Sequence, residues 1–126
     1  MRGETIESRR RLLERVRALI ASDYRRELTL AMAARTLASS PRQIQRAYEQ
    51  AGETSFREDL RTRRLQVGAE LLAGQAGLRV EDVSRLAGYS HVAHFARAFR
   101  GRYGRSPGAF RELALSASDG RRGRPS

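Results

Sequence analysis

Residues 83–111 read VSRLAGYSHVAHFARAFRGRYGRSPGAFR. Val83, Leu86 and Ala87 set an apolar face at helical spacing, and Gly88 stands where that helix should stop. Ser90 can then cap the N-terminus of a new helix. In that helix Val92, Phe95, Ala96 and Phe99 recur at three and four, which buries one face. The opposite face shows His91, His94, Arg97 and Arg100. Ser106-Pro107 is a further start signal, opening a last helix from Pro107 to Leu115 with Phe110 and Leu113 turned inward. An apolar helix, a glycine turn and a helix with a basic face make a helix-turn-helix, a unit whose second helix fits the DNA major groove.

Working back along the chain, the same arrangement occurs a second time. Thr29 can cap a short alanine-rich helix, Leu30 to Leu37, and Ala38 and Ser39 make a turn. Ser40-Pro41-Arg42-Gln43 combines a capping box with proline at the first helical position. Ile44, Ala47, Tyr48 and Ala51 mark a buried face, while Arg42, Gln43, Gln45 and Arg46 fall toward solvent, and Gly52 ends the helix. Ile44, Arg46 and Tyr48 are each matched 51 residues later by Phe95, Arg97 and Phe99. Gly104 follows its aromatic one residue later than Gly52 does. Two copies are too few for a solenoid, so the repeat reads as a duplicated helix-turn-helix head.

Between the heads, Ser55 and Glu58 form another capping box, and Phe56, Leu60, Val67 and Leu71 make a stripe with Leu65, Ala69 and Leu72 beside it. Helix from Ser55 to Ala73 spans about 28 Å, close to the ~34 Å between successive major-groove faces of a duplex. In front of the first head, Ile6 to Asp23 carries the stripe Leu12, Leu13, Val16, Leu19 and Ile20; residues 1–4 are expected to be loose. The chain is thus all-α, about seven helices. Residues 1–54 hold the N-terminal helix and first head, 55–74 a long linker helix, 75–115 the second head and 116–126 a disordered basic tail. In that tail Arg122-Gly123-Arg124-Pro125 is similar to the core of a minor-groove AT-hook; the alternative is a solvated tail that only attracts phosphate.

Formal net charge is +11, and all 25 basic residues are arginine. A surplus of this size favours a polyanion as partner, and arginine's planar fork suits phosphate and guanine edges. The absence of cysteine excludes disulfides, thiol catalysis and the usual structural zinc sites. His91 and His94 alone offer imidazole, and no further ligands cluster with them, so neither metal nor cofactor is expected. With two histidines and no cysteine, an enzyme is not expected either. No apolar run approaches the ~20 residues of a membrane span, and the N-terminus lacks a signal peptide, which points to the cytoplasm.

Val83, Gly88, Tyr89, Ser90, Phe95, Arg97, Phe99, Tyr103, Gly104, Ser106, Pro107, Phe110 and Arg111 resemble the C-terminal signature of the AraC/XylS family of transcription regulators. The linker fits as well, through Arg64, Leu65, Ala69, Leu71 and Leu72, so the resemblance covers Leu28 to Arg111. Ser84 stands where the family usually has alanine, and Ala93 and His94 depart from its usual residues in the reading helix.

The resemblance implies a sequence-specific regulator that binds double-stranded DNA with two recognition helices in adjacent major-groove segments. DNA contacts then fall to Ser40, Arg42, Gln43, Gln45 and Arg46 in the first head, and to Ser90, His91, His94, Arg97, Arg100 and Arg102 in the second. Arginine can take guanine and glutamine can take adenine with paired hydrogen bonds, whereas Ala93 and Ala96 can only meet a thymine methyl, so the second head should discriminate less. For Arg46 and Arg97 the alternative is a salt bridge that fastens the head. Arg61, Arg63 and Arg64 of the linker can face either DNA or solvent. In size the chain is similar to the small MarA/SoxS/Rob-type activators, which bind as monomers and recruit RNA polymerase. Two alternatives stay open: the DNA-binding fragment of a longer ligand-responsive regulator, or a polymerase-binding adaptor with weak DNA contact.

Overall fold

A computed structural model of the chain describes the backbone of residues 2–122 and the side chains of residues 6–117. Those residues form seven helices and no strand: α1 (Arg2–Asp23), α2 (Leu30–Thr36), α3 (Pro41–Ala51), α4 (Phe56–Gly74), α5 (Val80–Leu86), α6 (Val92–Tyr103) and α7 (Pro107–Arg122). The helix-turn-helix pairs are α2–α3 and α5–α6. The chain divides into two compact units, residues 1–63 and 64–126, and the division falls inside α4.

In the first unit α1 buries Leu13, Val16 and Ile20, spaced three and four apart. They pack with Ala33 and Ala34 of α2 and with Ile44, Ala47 and Tyr48 of α3, and Leu28 and Leu60 complete the core. Thr29 caps α2 by accepting from the Met32 N–H at 3.1 Å. Ser40 caps α3 by accepting from the Gln43 N–H at 3.1 Å, with Pro41 at the first position. The return half of that capping box does not form: Gln43 Oε1 instead accepts from Ser39 Oγ at 2.7 Å. Two further expectations are corrected. Helix α1 begins at Arg2 rather than Ile6, because extending a formed helix adds one hydrogen bond per residue. Ala51 is exposed, since it ends α3 beyond the core.

The second unit closes on Leu65 and Leu72 of α4, Val83 and Ala87 around α5, and Phe95, Ala98 and Phe99 of α6. Phe95 and Phe99 are fully buried, and Tyr89, Tyr103 and Phe110 surround them with ring centroids 4.5–5.5 Å apart. The buried arc of α6 takes Ala98 and leaves Val92, its first residue, 38% exposed. Leu113, expected inside, is 50% exposed. The N-cap of α6 is His91, not Ser90, and its side chain makes no capping bond. Residues 116–122, expected to be disordered, continue α7, where no proline interrupts the helix. The segment Arg122–Pro125 lies outside the residues whose side chains are described.

The repeat extends to the helix ends. Gly52 and Gly104 end α3 and α6 in the left-handed region, at φ +72° and +76°. Each donates its N–H four residues back, to Tyr48 at 3.0 Å and Arg100 at 2.8 Å. Ser55 and Ser106, again 51 apart, cap the following helices through bonds of 3.2 Å to the N–H of Glu58 and Ala109. The turns within the heads also correspond, Ala38 at φ +53° matching Gly88 at φ +98°. That offset is 50, so the second turn is one residue longer before α6 regains the 51-residue register.

Candidate nucleic-acid interface

Helix α3 buries Ile44, Ala47 and Tyr48, which fixes what faces out. Counting about 100° per residue, the middle of the outer face holds Arg42, Arg46 and Glu49, with Gln45 on one flank and Gln43 on the other. All five are exposed. Helix α6 buries Phe95, Ala98 and Phe99, and the middle of its outer face holds Ala93, Arg97 and Arg100, with His94 on a flank. The two faces match position for position at the 51-residue offset: Arg42 with Ala93, Gln43 with His94, Arg46 with Arg97, Glu49 with Arg100.

Arg102 does not join this set. It lies about 140° around the helix from Arg97, and its guanidinium is 5.9 Å from the Tyr103 ring centre. His91 and His94 are both exposed with ring centroids 5.2 Å apart, edge to face. Among the described residues no group of three or more His, Cys, Asp or Glu side chains can hold a metal ion. Ser40 is committed to the α3 cap, and Ser90 is exposed just ahead of α6. Glu49 was not among the residues singled out by sequence; its placement 51 residues before Arg100 was the available signal.

The arginines sort into two groups. One group holds the fold. Arg17 donates to Asp59 at 3.0 Å, which raises its pKa through the hydrogen bond to that carboxylate. Arg79 and Arg85 both reach Asp82, at 3.2 and 2.7 Å, and hold its carboxyl down at about 2. The three linker arginines have surroundings within the chain too. Arg61 pairs with Glu58 at 3.8 Å, Arg63 lies 5.5 Å over the Tyr24 ring, and burial pulls the pKa of half-buried Arg64 down. The other group has no such partner: among the described residues no ion pair engages Arg42, Arg46, Arg97 or Arg100. The salt-bridge alternative for Arg46 and Arg97 therefore has no counterpart among the described residues. Their guanidiniums stand in solvent on the second helix of each head, open to an anionic partner.

Known proteins share this architecture. The sequence model of a helix-turn-helix domain family matches residues 33–113. The transcriptional activator NphR of a Rhodococcus species is 34% identical over 101 residues, which is 79% of this chain and 30% of NphR. The HTH-type transcriptional regulator GlxA of Rhizobium meliloti is 31% identical over 83 residues, 66% of this chain and 25% of GlxA. The chain thus spans under a third of the curated relatives it matches. Among solved structures, a DNA-binding transcriptional dual regulator from Escherichia coli K-12 aligns with a TM-score of 0.77 at 28% identity, covering 83% of this chain and 93% of that one. A probable AraC family transcriptional regulator from Rhodopseudomonas palustris aligns at 0.73 and 25% identity, covering 82% and 97%. Among the described residues no helix is long and apolar enough to cross a membrane. With the duplicated heads, the unpaired arginines and these relatives in agreement, the chain belongs to the AraC/XylS family of helix-turn-helix DNA-binding regions.

Proposed function

We propose that the chain binds double-stranded DNA as a monomer, seating α3 and α6 in adjacent major-groove segments, and thereby regulates transcription in the cytoplasm. Its work is binding rather than catalysis. RNA polymerase is the protein partner this reading names, in keeping with one relative's description as a transcriptional activator. The observation that carries the reading is the matched pair Arg46 and Arg97: exposed, without an ion pair, and 51 residues apart on the second helix of each head. An unbroken α4 of 19 residues, about 28 Å long, supports two heads acting on one duplex. Arg42, Gln43, Gln45, His94 and Arg100 supply further donors around the two arginines, and Ser40, Ser90 and His91 stand at the helix starts, where phosphate is favoured. Arg102, turned to Tyr103, is left for phosphate contact only.

Selection of bound fragments from random duplex DNA tests the proposal. The expected outcome is one site with two half-sites a helical turn apart. Arg46→Ala and Arg97→Ala should each cost about 1–3 kcal/mol at that site with unchanged melting. Affinity should fall steeply with salt. Recovery of no preferred sequence, together with retention of purified polymerase, would favour the adaptor reading instead.

A further inference from the structure

Glu49 puts a carboxylate in the middle of an otherwise cationic face. It is exposed, it shares that face with Arg42 and Arg46, and among the described residues no ion pair neutralises it. Gln45 and Glu49 also form one wall of an open depression with Leu28, Leu30, Tyr48 and Phe56, so the side chain has room to extend from the helix. The matched position on α6 is Arg100, of opposite charge. A carboxylate turned toward a phosphodiester backbone is repelled, and it gains nothing from the N7 and O6 acceptors of guanine or the O4 of thymine. It gains from an amino group, and of the two in the major groove the N4 amine of cytosine suits a carboxylate better than the N6 amine of adenine, whose neighbouring N7 is itself an acceptor.

We infer that Glu49 is a base-selecting residue: it makes the first head demand cytosine within two base pairs of the base taken by Arg46. This rests on the reading of α3 as a recognition helix. Glu49 lies three residues beyond Arg46, about 4.5 Å along the axis, against about 3.4 Å per base pair. The cytosine column therefore falls within two base pairs of the Arg46 contact. The two heads then differ in what they reject as well as in what they accept. The first excludes guanine and thymine at this step through Glu49, while Arg100 in the second welcomes them.

The test is selection from random duplex DNA with the whole chain and with Glu49→Ala and Glu49→Gln. The parent should show a cytosine column within two base pairs of the Arg46 position. Glu49→Ala should flatten that column, with discrimination there falling roughly 5- to 150-fold and the other columns unchanged. Glu49→Gln, which keeps the size and adds a donor, should move the preference to adenine. If Glu49→Ala tightens binding to every duplex alike and leaves all columns as they were, the residue only repels phosphate and the inference is overturned. A parent that selects a site without cytosine at that step overturns it too. A parent that selects nothing overturns the recognition-helix reading itself, and this inference with it. Glu49 is exposed, and melting curves matching the parent's certify the fold of both variants.

Discussion

The phenol of Tyr48 donates to Asp59 Oδ2 at 2.8 Å, and 51 residues later the same two positions are Phe99 and Phe110, edge to face at 5.2 Å. One copy joins the second helix of its head to the next helix with a hydrogen bond to a carboxylate; the other does it with ring packing. In the first copy Asp59 also accepts from Arg17 Nε at 3.0 Å, so one oxygen ties α1, α3 and α4 together. Tyr48→Phe should cost about 1–2 kcal/mol by removing a bond to a charged acceptor. Asp59→Ala should cost more, because it strands a buried hydroxyl and frees Arg17 as well. Urea melts of the two variants provide the comparison.

The same pair sets an alkaline limit. Burial, and then the bond to Asp59, push the Tyr48 phenol well above its ordinary value. A raised folded pKa means the stabilisation is whole below the unfolded value of about 10 and is lost as pH climbs from there toward the folded value. The parent should therefore weaken above about pH 10, and Tyr48→Phe should show a shallower decline over that range. Melting temperature against pH for the two chains decides it.

An acid limit comes from Asp82, held at about 2 by Arg79 and Arg85. Here the folded value is depressed, so the contribution is present above the unfolded value, near 3.8, and disappears as pH falls through about 2. Asp82→Asn should lower stability slightly at neutral pH and flatten the loss between about pH 4 and 2. The site is solvent-facing, so added salt should shrink the difference.

Gly68 looks dispensable by propensity, since alanine is the better residue inside a helix. The space says otherwise. A Cβ at Gly68 would lie 2.7 and 2.8 Å from ring carbons of Phe95, which is fully buried and has nowhere to retreat. Gly68→Ala should destabilise the second unit by about 1–3 kcal/mol despite the gain in propensity. Thermal melting that shows stabilisation would refute the close approach.

Ser84 is 1% exposed, and its Oγ has no hydrogen-bond partner among the described residues. An unpartnered buried hydroxyl costs about 1–3 kcal/mol, so Ser84→Ala should raise the denaturation midpoint. DNA affinity should stay the same, because the side chain is buried and lies on α5 rather than on the outer face of α6.

What could be read from sequence alone follows from where the signals are local. Caps and stops are local, and Thr29, Ser40, Gly52, Ser55, Gly104 and Ser106 all sit where residue chemistry puts them. Helical spacing is local too, and it located Phe95 and Phe99 inside and Arg46 and Arg97 outside. The misses depend on neighbours that spacing cannot see. Val92 and Leu113 carry apolar side chains at plausible positions but nothing packs over them fully. Ser90 is a better capping residue than His91, yet the longer turn after Gly88 hands the cap to histidine. Glu49 carries no local signal of its own: an exposed glutamate near a helix end is an ordinary solvated residue, and only its match with Arg100 51 residues later sets it apart.

Helix α4 belongs to two interiors at once, since Leu60 is buried in the first core and Leu65 and Leu72 in the second. A cut between Arg63 and Arg64 falls between these two sets, so each fragment should keep the α4 residues its own core uses, Leu60 on one side and Leu65 and Leu72 on the other.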